Sequence, residues 1–454
     1  MLIRFSVENF LSFKERVIFS MFPSRGTLKK NHVNKSIKKI GTLKFTSVFG
    51  ANASGKSNLI RAIHFGQKLV ISGDVSKLSP SNKKFKLDKT YEKRGTRFEY
   101  EIQTEHNNYA YGFIINNNNI EEEWLYSINN KTDAMLYERK GRDFSFSEKL
   151  LKKSGFDNYI EIISNSTPND SLFLSYINKI NINEKYKNEI KDFFDAFDWF
   201  KNSLNIIYPN SKSLGFLFEL TKSHNIRALF IKFLKYFDTG ICDIEFKPVN
   251  FDSIDIPDEL KNKILSDLKD EKSEKHAGMI NDPFNNSIIF IEKSNNEIVA
   301  SKLITKRIDI DNQVIAFDPS NEESDGTKRL FDLIPLFIDL IDGGNVIIID
   351  EMERSLHPNL IYDFIELYIN ALDKDDKSKR SQLIMATHES SLLTQKLLRK
   401  DEIWFISKNK QGASTLNSLQ EYNVRFDKEL RNSYLKGRFN GIPNLGEPED
   451  LPFN

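Results

Sequence analysis

Hydrophobic and polar positions alternate with a period of two in "LIRFSVENF" and "RVIFSMF", which predicts strands within residues 1–20. "TSVFG" (46–50) is apolar up to its glycine and reads as a buried strand. "ANASGKSNLIRAIHFGQKLVIS" follows as a loop and then a helix with Leu59, Ile63 and Phe65 on its apolar face. Residues 76–97 form a polar, basic loop. "RFEYEIQTE", "NYAYGFIIN" and "NIEEEWLYSI" alternate again and are joined by Asn-rich turns, which predicts an antiparallel meander. From about 136 to 285 helical patterns dominate, in "KNEIKDFFDAFDWFKNSL", "IRALFIKFLKYFDTG" and "DELKNKILSDLKDEK". Strand patterns return at "NSIIFIE" and "QVIAFD". A helix-like run "LFDLIPLFIDLI" precedes the unbroken apolar strand "NVIIID"; a further helix leads to "SQLIMATH", and "EIWFIS" and "STLNSL" close the series. Apolar strands alternating with helices indicate a parallel sheet covered on both faces, so the fold class is α/β. No internal repeat is visible. Residues 443–454, with three prolines, read as a tail.

Composition narrows this picture. A chain of 454 residues exceeds one ordinary domain, so two or three lobes are expected. A 39% hydrophobic fraction that includes 36 Phe sustains real cores and excludes disorder for most of the chain. A net charge of +1 gives no global field for nucleic acid. The lone cysteine, Cys242, excludes an internal disulfide and a multi-Cys zinc site, and points to packing in a reducing, cytoplasmic setting. Arg4 and Glu8 interrupt the N-terminal stretch, so it is not expected to be a signal peptide. No apolar run is long enough to span a membrane.

The chemistry concentrates in three places. "GANASGKS" fits G-x-x-x-x-G-K-S, between a predicted strand and a predicted helix. Its glycines let the backbone curl so that successive N–H groups face phosphate oxygens. Lys56 reaches the β- and γ-phosphates, the Ser57 hydroxyl ligates Mg²⁺, and the helix N-terminus adds its positive end. Gly50, Asn52, Ser54, Gly55, Lys56, Ser57 and Asn58 are therefore the expected nucleotide-binding set, with ATP and Mg²⁺ as cofactors. In "NVIIIDEMERSLHP", Asp350 ends an apolar strand where a carboxylate holds Mg²⁺ with Ser57, and Glu351 beside it is placed to polarise a water for attack on the γ-phosphate. In "LIMATHES", His388 follows a buried strand and can bond the γ-phosphate or steady the water. Taken singly, each has a bland alternative: a chance glycine pattern, a surface Asp-Glu pair, an exposed histidine.

The order Gly-rich loop, "ESDGTKR", "IIIDE", "SLHP", "ATH" resembles the ABC-type ATPase heads, in the branch that includes the SMC, RecF and OLD-like ATPases. "VENFLSFKE" is similar to their first strand and "YLKGRFNGIPNL" to a closing segment. The nearest resemblance is to the ATPases of prokaryotic phage-defence systems, of the RloA/AbiL type and more distantly the PARIS and Septu types. The resemblance implies an ABC-type P-loop NTPase head with an N-terminal antiparallel β meander and an inserted helical lobe. It also implies that "SDG" stands where transport ATPases carry their signature, so that Ser324, Gly326, Thr327 and Lys328 act in trans on the ATP of a second subunit. Ser355 and His357 of "SLHP" would then form the adjoining interface loop. Read alone, residues 322–330 favour a mere helix cap; the motif order reverses that reading. A coupling glutamine between lobes is not identifiable: Gln67 and Gln103 are the nearest candidates and neither sits in a convincing context. The adenine-contacting residue is also unassigned.

The expected organisation is an ATPase N-lobe with the phosphate loop (1–135), a helical insertion lobe (136–285) and an ATPase C-lobe with signature, Asp-Glu pair and His388 (286–454). The insertion lacks heptads and is expected to be a compact lobe for oligomerisation or docking. The stretch after His388 is expected to be too short for a nuclease lobe, so a nuclease, if any, would be a separate partner. The basic loop 77–97 offers a nucleic-acid backbone contact or is simply solvated. "DKDDKSKR" (373–380) reads as an exposed connection. The leading expectation is a cytoplasmic ATPase that pairs heads around ATP and regulates a separate effector, a nuclease, in antiviral defence, with a phage trigger or nucleic acid as a further partner and no membrane. The alternatives are a RecF-like repair ATPase on duplex DNA and a non-hydrolysing scaffold.

Overall fold

The structure, a computed structural model, describes the chain except residues 26–27, 38, 130–132, 153–154, 212–213, 252–253, 255, 270–276, 282–287, 295–296, 372–379, 423–428 and 443–454. The proline-bearing tail and nearly all of the mixed-charge connection lie outside the described residues. Among the described residues no helix is long and apolar enough to cross a membrane.

The chain forms two compact units. The first comprises Met1–Pro209, Leu340–Glu353 and Ile361–Asn454, and the second Asn210–Asp339 and Arg354–Leu360. The boundaries differ from the lobes expected at 135/136 and 285/286: residues 136–285 are divided between the units.

Two large sheets dominate the first unit, beside a two-stranded hairpin of Val33–Ile37 and Ile40–Leu43. An antiparallel sheet runs, edge to edge, through Asp143–Phe146, Ala134–Lys140, Asn119–Ser127, Asn108–Asn116, Thr96–Gln103, Leu2–Glu8 and Val17–Ser20. This is the predicted meander, extended by the two N-terminal strands. Its alternation is realised in Thr96–Gln103, where every second residue is buried. The second sheet has the order Leu204–Ile207, Val346–Asp350, Gln382–Thr387, Phe45–Phe49, Ile403–Lys408, Ser414–Ser418. The pairings among the first five are parallel and the last strand is antiparallel. The three central strands are buried at every position, as apolar runs covered on both faces must be.

Helices within 156–203 pack on the meander rather than forming a separate lobe. Phe193 of the helix Lys191–Asp198 stacks on Tyr137 with ring centroids 5.5 Å apart, and Phe173 meets the same ring edge-on. Beneath them lies a buried charge. Glu123 accepts hydrogen bonds from the hydroxyls of Tyr111 (3.0 Å) and Tyr137 (2.7 Å) and from the backbone N–H groups of Phe173 (2.7 Å) and Leu174 (3.0 Å). Arg139 stands 3.7 Å away and donates to the carbonyls of Gly141, Ser171 and Pro168. A buried ion pair is tolerated when its remaining polar sites are satisfied in this way, and here it ties the sheet to the helix Phe173–Lys179.

The second unit holds an antiparallel sheet in the order Asp243–Val249, Glu297–Ile308, Ile288–Ser294, Ala277–Asn281, with Val314–Phe317 pairing to Glu297–Ile308. The helical reading of 136–285 missed the first and last of these strands in that range. The helix His224–Tyr236 packs against Asp325–Asp342 through edge-on contacts of Phe230 with Phe331 and Phe233 with Phe337.

Candidate functional site

The strand Phe45–Phe49 delivers the chain to Gly50, and the helix Lys56–Ser72 leaves the loop from Gly55. Both glycines are sterically required. A Cβ on Gly50 would lie 2.5 Å from the carbonyl oxygen of Ile406, and one on Gly55 2.3 Å from Ser414 Oγ. Gly55 also has a φ of 122°, a conformation that side chains rarely adopt. Two serines from distant segments brace the curl. Ser414 Oγ donates to the Ser54 carbonyl (2.6 Å) and accepts from Ser12 Oγ (2.8 Å), which in turn accepts from Asn58 Nδ2 (2.9 Å). Neither Ser12 nor Ser414 carries a local motif, so sequence reasoning had no signal for them.

Lys56 Nζ donates to the carbonyls of Gly50 (2.7 Å) and Ala51 (3.0 Å) and lies 3.2 Å from His388 Nδ1. An ammonium only donates, so Nδ1 accepts from Lys56 and the neutral ring carries its proton on Nε2; the ring also makes a hydrogen bond with the Gly50 backbone. Burial, and then the Lys56 charge, hold His388 below its ordinary pKa, which keeps it neutral near pH 7.

Asp350 ends its strand beside the loop. Burial raises its pKa, opposed by a hydrogen bond from Ser57. Its Oδ1 is buried and has no hydrogen-bond partner. Among the described residues no group of three His, Cys, Asp or Glu could hold a metal ion alone. A carboxylate with one buried unpartnered oxygen, bonded to a serine hydroxyl beside a phosphate loop, fits Mg²⁺ whose remaining ligands are phosphate and water oxygens. The cation would offset the cost of burying that charge.

Glu351 has a φ of 51°, a strained conformation for a residue with a side chain. Its N–H donates to the Ala386 carbonyl (3.1 Å), linking it to the strand that presents His388. The structure thus brings together Lys56, Ser57, Asp350, Glu351 and His388 at the ends of three adjacent parallel strands. It adds Glu353, which the motif reading passed over. Glu353 Oε1 accepts the backbone N–H of His388 (2.6 Å), and the carboxylate also takes a hydrogen bond from the Thr387 side chain. Glu353 therefore positions the turn that carries His388. The signal was a carboxylate three residues past Asp350, but its partner lies across the sheet.

Ser324, Gly326, Thr327 and Lys328 lie in the second unit, at the start of the helix Asp325–Asp342. Ser324 Oγ accepts from the Thr327 N–H (3.1 Å), so the helix-cap geometry is real. It does not exhaust the segment. Gly326 packs on the "SLHP" loop so closely that a Cβ would sit 2.9 Å from the Ser355 carbonyl oxygen. Ser355 itself has a φ of 63°. His357 is exposed, and its Nδ1 accepts from the Asn359 N–H (3.2 Å). The segment at Ser324–Lys328 and the loop at Ser355–His357 are thus packed together through Gly326 and Ser355. Gln67 and Gln103 are not at the site: Gln67 donates to the Phe200 and Leu204 carbonyls, and Gln103 to the Ile40 carbonyl and Asn108. A cavity of about 640 Å³ adjoins the phosphate loop, lined in part by Ala51, Asn52, Ser407, Lys408 and Asn440.

Burial lowers the pKa of Lys56 to about 8, against the favourable charges of Glu353, Asp350 and Glu351. Phosphates at the ammonium favour its charged form and raise that pKa. ATP binding at pH 8.5 is therefore expected to take up a fraction of a proton, and affinity should fall as pH rises through about 8. ATP itself is already deprotonated there. Calorimetry in buffers of different ionisation enthalpy reads this, and absence of uptake would contradict the burial of Lys56.

Residues 45–394 match the family described as "AAA domain, putative AbiEii toxin, Type IV TA system". No curated protein matches the sequence. Among solved structures, the SMC head domain from Thermotoga maritima is similar at 12% identity and TM-score 0.35, covering 92% of this chain and 98% of that one. An SMC head with a coiled coil and joint derived from Pyrococcus yayanosii is similar at 12% identity and TM-score 0.41, covering 96% and 99%.

Proposed function

Since the chain belongs to this AAA-domain family of P-loop ATPases, we propose that it binds ATP with Mg²⁺ and hydrolyses it at a site completed by a second copy. The observation that carries the reading is the cluster at the strand ends: Lys56 held against the loop, Ser57 bonded to Asp350, and an unpartnered Asp350 oxygen beside them. Lys56 binds the β- and γ-phosphates. Ser57 and Asp350 hold Mg²⁺, which when bound neutralises charge developing on the phosphates. Glu351 accepts the proton of the attacking water, and His388 donates from Nε2 to a γ-phosphate oxygen. Ser324 Oγ, the N–H groups after it and Lys328 supply donors to the γ-phosphate from the other copy.

The two nucleotide states then differ in how tightly copies pair. A separate effector that prefers one state is regulated by turnover. We assign that effector role to antiviral defence, with a nuclease as the effector, on the motif order "ESDGTKR", "IIIDE", "SLHP", "ATH" and its resemblance to defence ATPases. The test is whether specific ATPase activity, with Mg²⁺ present, rises with protein concentration and then saturates. Activity per chain that is constant down to nanomolar protein would remove the second copy from the mechanism. Strong stimulation by plain duplex DNA would favour a repair ATPase instead.

A further inference from the structure

The hairpin formed by Glu297–Ile308 and Val314–Phe317 has an unusual end. Ile308 is 58% exposed, Ile310 97%, Val314 60% and Ile315 43%. Four apolar side chains exposed at one tip exceed the scattered exposure of ordinary surfaces. The tip is ordered: Asp309 accepts the N–H groups of Asp311 (2.9 Å) and Gln313 (2.7 Å). Among the described residues, Val314–Phe317 pairs only with Glu297–Ile308, so it is also an edge strand.

The base of this hairpin is locked to the signature segment. Glu323, the residue before Ser324, is buried, and its carboxylate accepts from Thr305 Oγ1 (2.7 Å) and Arg307 Nη2 (2.5 Å). Ile310 lies five residues beyond Thr305, a reach of about 15 Å along an extended strand.

The phosphate-loop side carries a matching feature. Leu87 is 70% exposed, flanked by exposed Lys86 and by Asp88, whose carboxylate is paired with Lys14 (3.1 Å); Lys89, Lys93 and Arg94 are also exposed and outnumber the exposed Glu92. The segment is firmly held: Phe85 and Tyr91 are buried, and Lys84 donates to the Glu92 carbonyl and to Asn116. It adjoins the phosphate loop, because the Leu11 N–H donates to the Lys83 carbonyl (2.7 Å) and Leu11 precedes Ser12. A Cβ on Gly412 would meet Leu87, and Gly412 stands two residues before Ser414. One half-site thus carries apolar knobs beside Asp309 and Asp311, and the other an apolar knob among lysines.

We propose that in the ATP-joined pair the hairpin tip of one copy docks on residues 83–94 of the other copy, the acidic and basic rims meeting around the apolar knobs. This rests on the pairing of copies around ATP given above. It makes nucleotide pairing and signature position one event, since the docked tip is fixed through Glu323 to Ser324. It also gives the basic segment a protein partner rather than a nucleic acid.

The test uses the Glu351→Gln chain with ATP and Mg²⁺, with the dissociation constant of the pair read by analytical ultracentrifugation. Lys86→Glu with Lys89→Glu, and separately Asp311→Lys, should each weaken pairing by about tenfold. The three substitutions combined should recover to within about threefold of the parent. ATP binding by the unpaired chain, measured in the same samples, should not change. Pairing unchanged in every variant overturns the docking proposal, as does a combined variant as weak as the sum of its parts. Losses confined to the lysine variant, tracking lost affinity for duplex DNA, overturn it in favour of nucleic acid. If the Glu351→Gln parent does not pair with ATP at all, the shared-site reading falls and this inference with it. Pairing that persists through the charge changes removes only the inference.

Discussion

Glu351→Gln is expected to lower ATP turnover by about a hundredfold or more, within the range for loss of a general base, and to leave ATP binding within about threefold of wild type. The expectation follows from position. Glu351 follows the Asp350 that bonds Ser57, sits in a left-handed conformation, and is tied by its N–H to the strand that presents His388. Glutamine keeps size and hydrogen-bonding capacity, so the fold and the nucleotide pocket stay intact, but it cannot take the proton of the attacking water. Under the proposed pairing, a pair formed with ATP should then persist instead of dissolving on hydrolysis. Single-turnover measurements separate the slow step from binding. A variant that hydrolyses ATP at the wild-type rate would assign the base elsewhere. One that loses binding as well would make Glu351 part of the pocket's structure.

Much of this site was legible from local sequence because its parts are local. A phosphate loop is one strand, one turn and one helix start, and residues 45–57 carry all three contiguously, the strand Phe45–Phe49 running straight into "GANASGKS". Asp350 ends and Glu351 follows one apolar strand, His388 follows a second buried strand, and the parallel pairing of these strands brings their ends together. What sequence could not give was contact across the chain. Ser12 and Ser414 brace the loop from segments far apart, and Glu353 holds His388 from a neighbouring strand end. The lobe boundaries were displaced for the same reason. Helical periodicity in 156–203 says that helices form, but not that Phe193 stacks on Tyr137 of the meander, or that Leu204–Ile207 adds a parallel edge beside Val346–Asp350. The strands Asp243–Val249 and Ala277–Asn281 interrupt a region whose composition reads as helical, because sheet pairing with Glu297–Ile308 and Ile288–Ser294 decides their conformation.

The second large effect concerns Ser324. It caps its helix, so removing the hydroxyl with alanine would cost about 1 kcal/mol of stability and blur the result. Aspartate caps a helix as well as serine does. Ser324→Asp should therefore fold normally and leave ATP binding to the isolated chain unchanged. It would also set a carboxylate against the γ-phosphate of the partner copy, in place of a donor. Turnover should fall by about a hundredfold or more, as for loss of a donor to a reacting phosphate with a like charge added. Thermal melting separates this from a loss of folding. Unchanged turnover would reduce Ser324 to its role as a cap.

The shared site is tested most directly by mixing two inactive chains, Lys56→Ala and Ser324→Asp. A mixed pair contains one site with intact Lys56 from the second chain and intact Ser324 from the first. Equal mixing should restore turnover to about a quarter of wild type, since half of the pairs are mixed and each holds one complete site of two. Each chain alone should remain inactive. If both chains fold and pair with one another and the mixture stays as inactive as its components, the site does not form between copies, and the central claim is wrong.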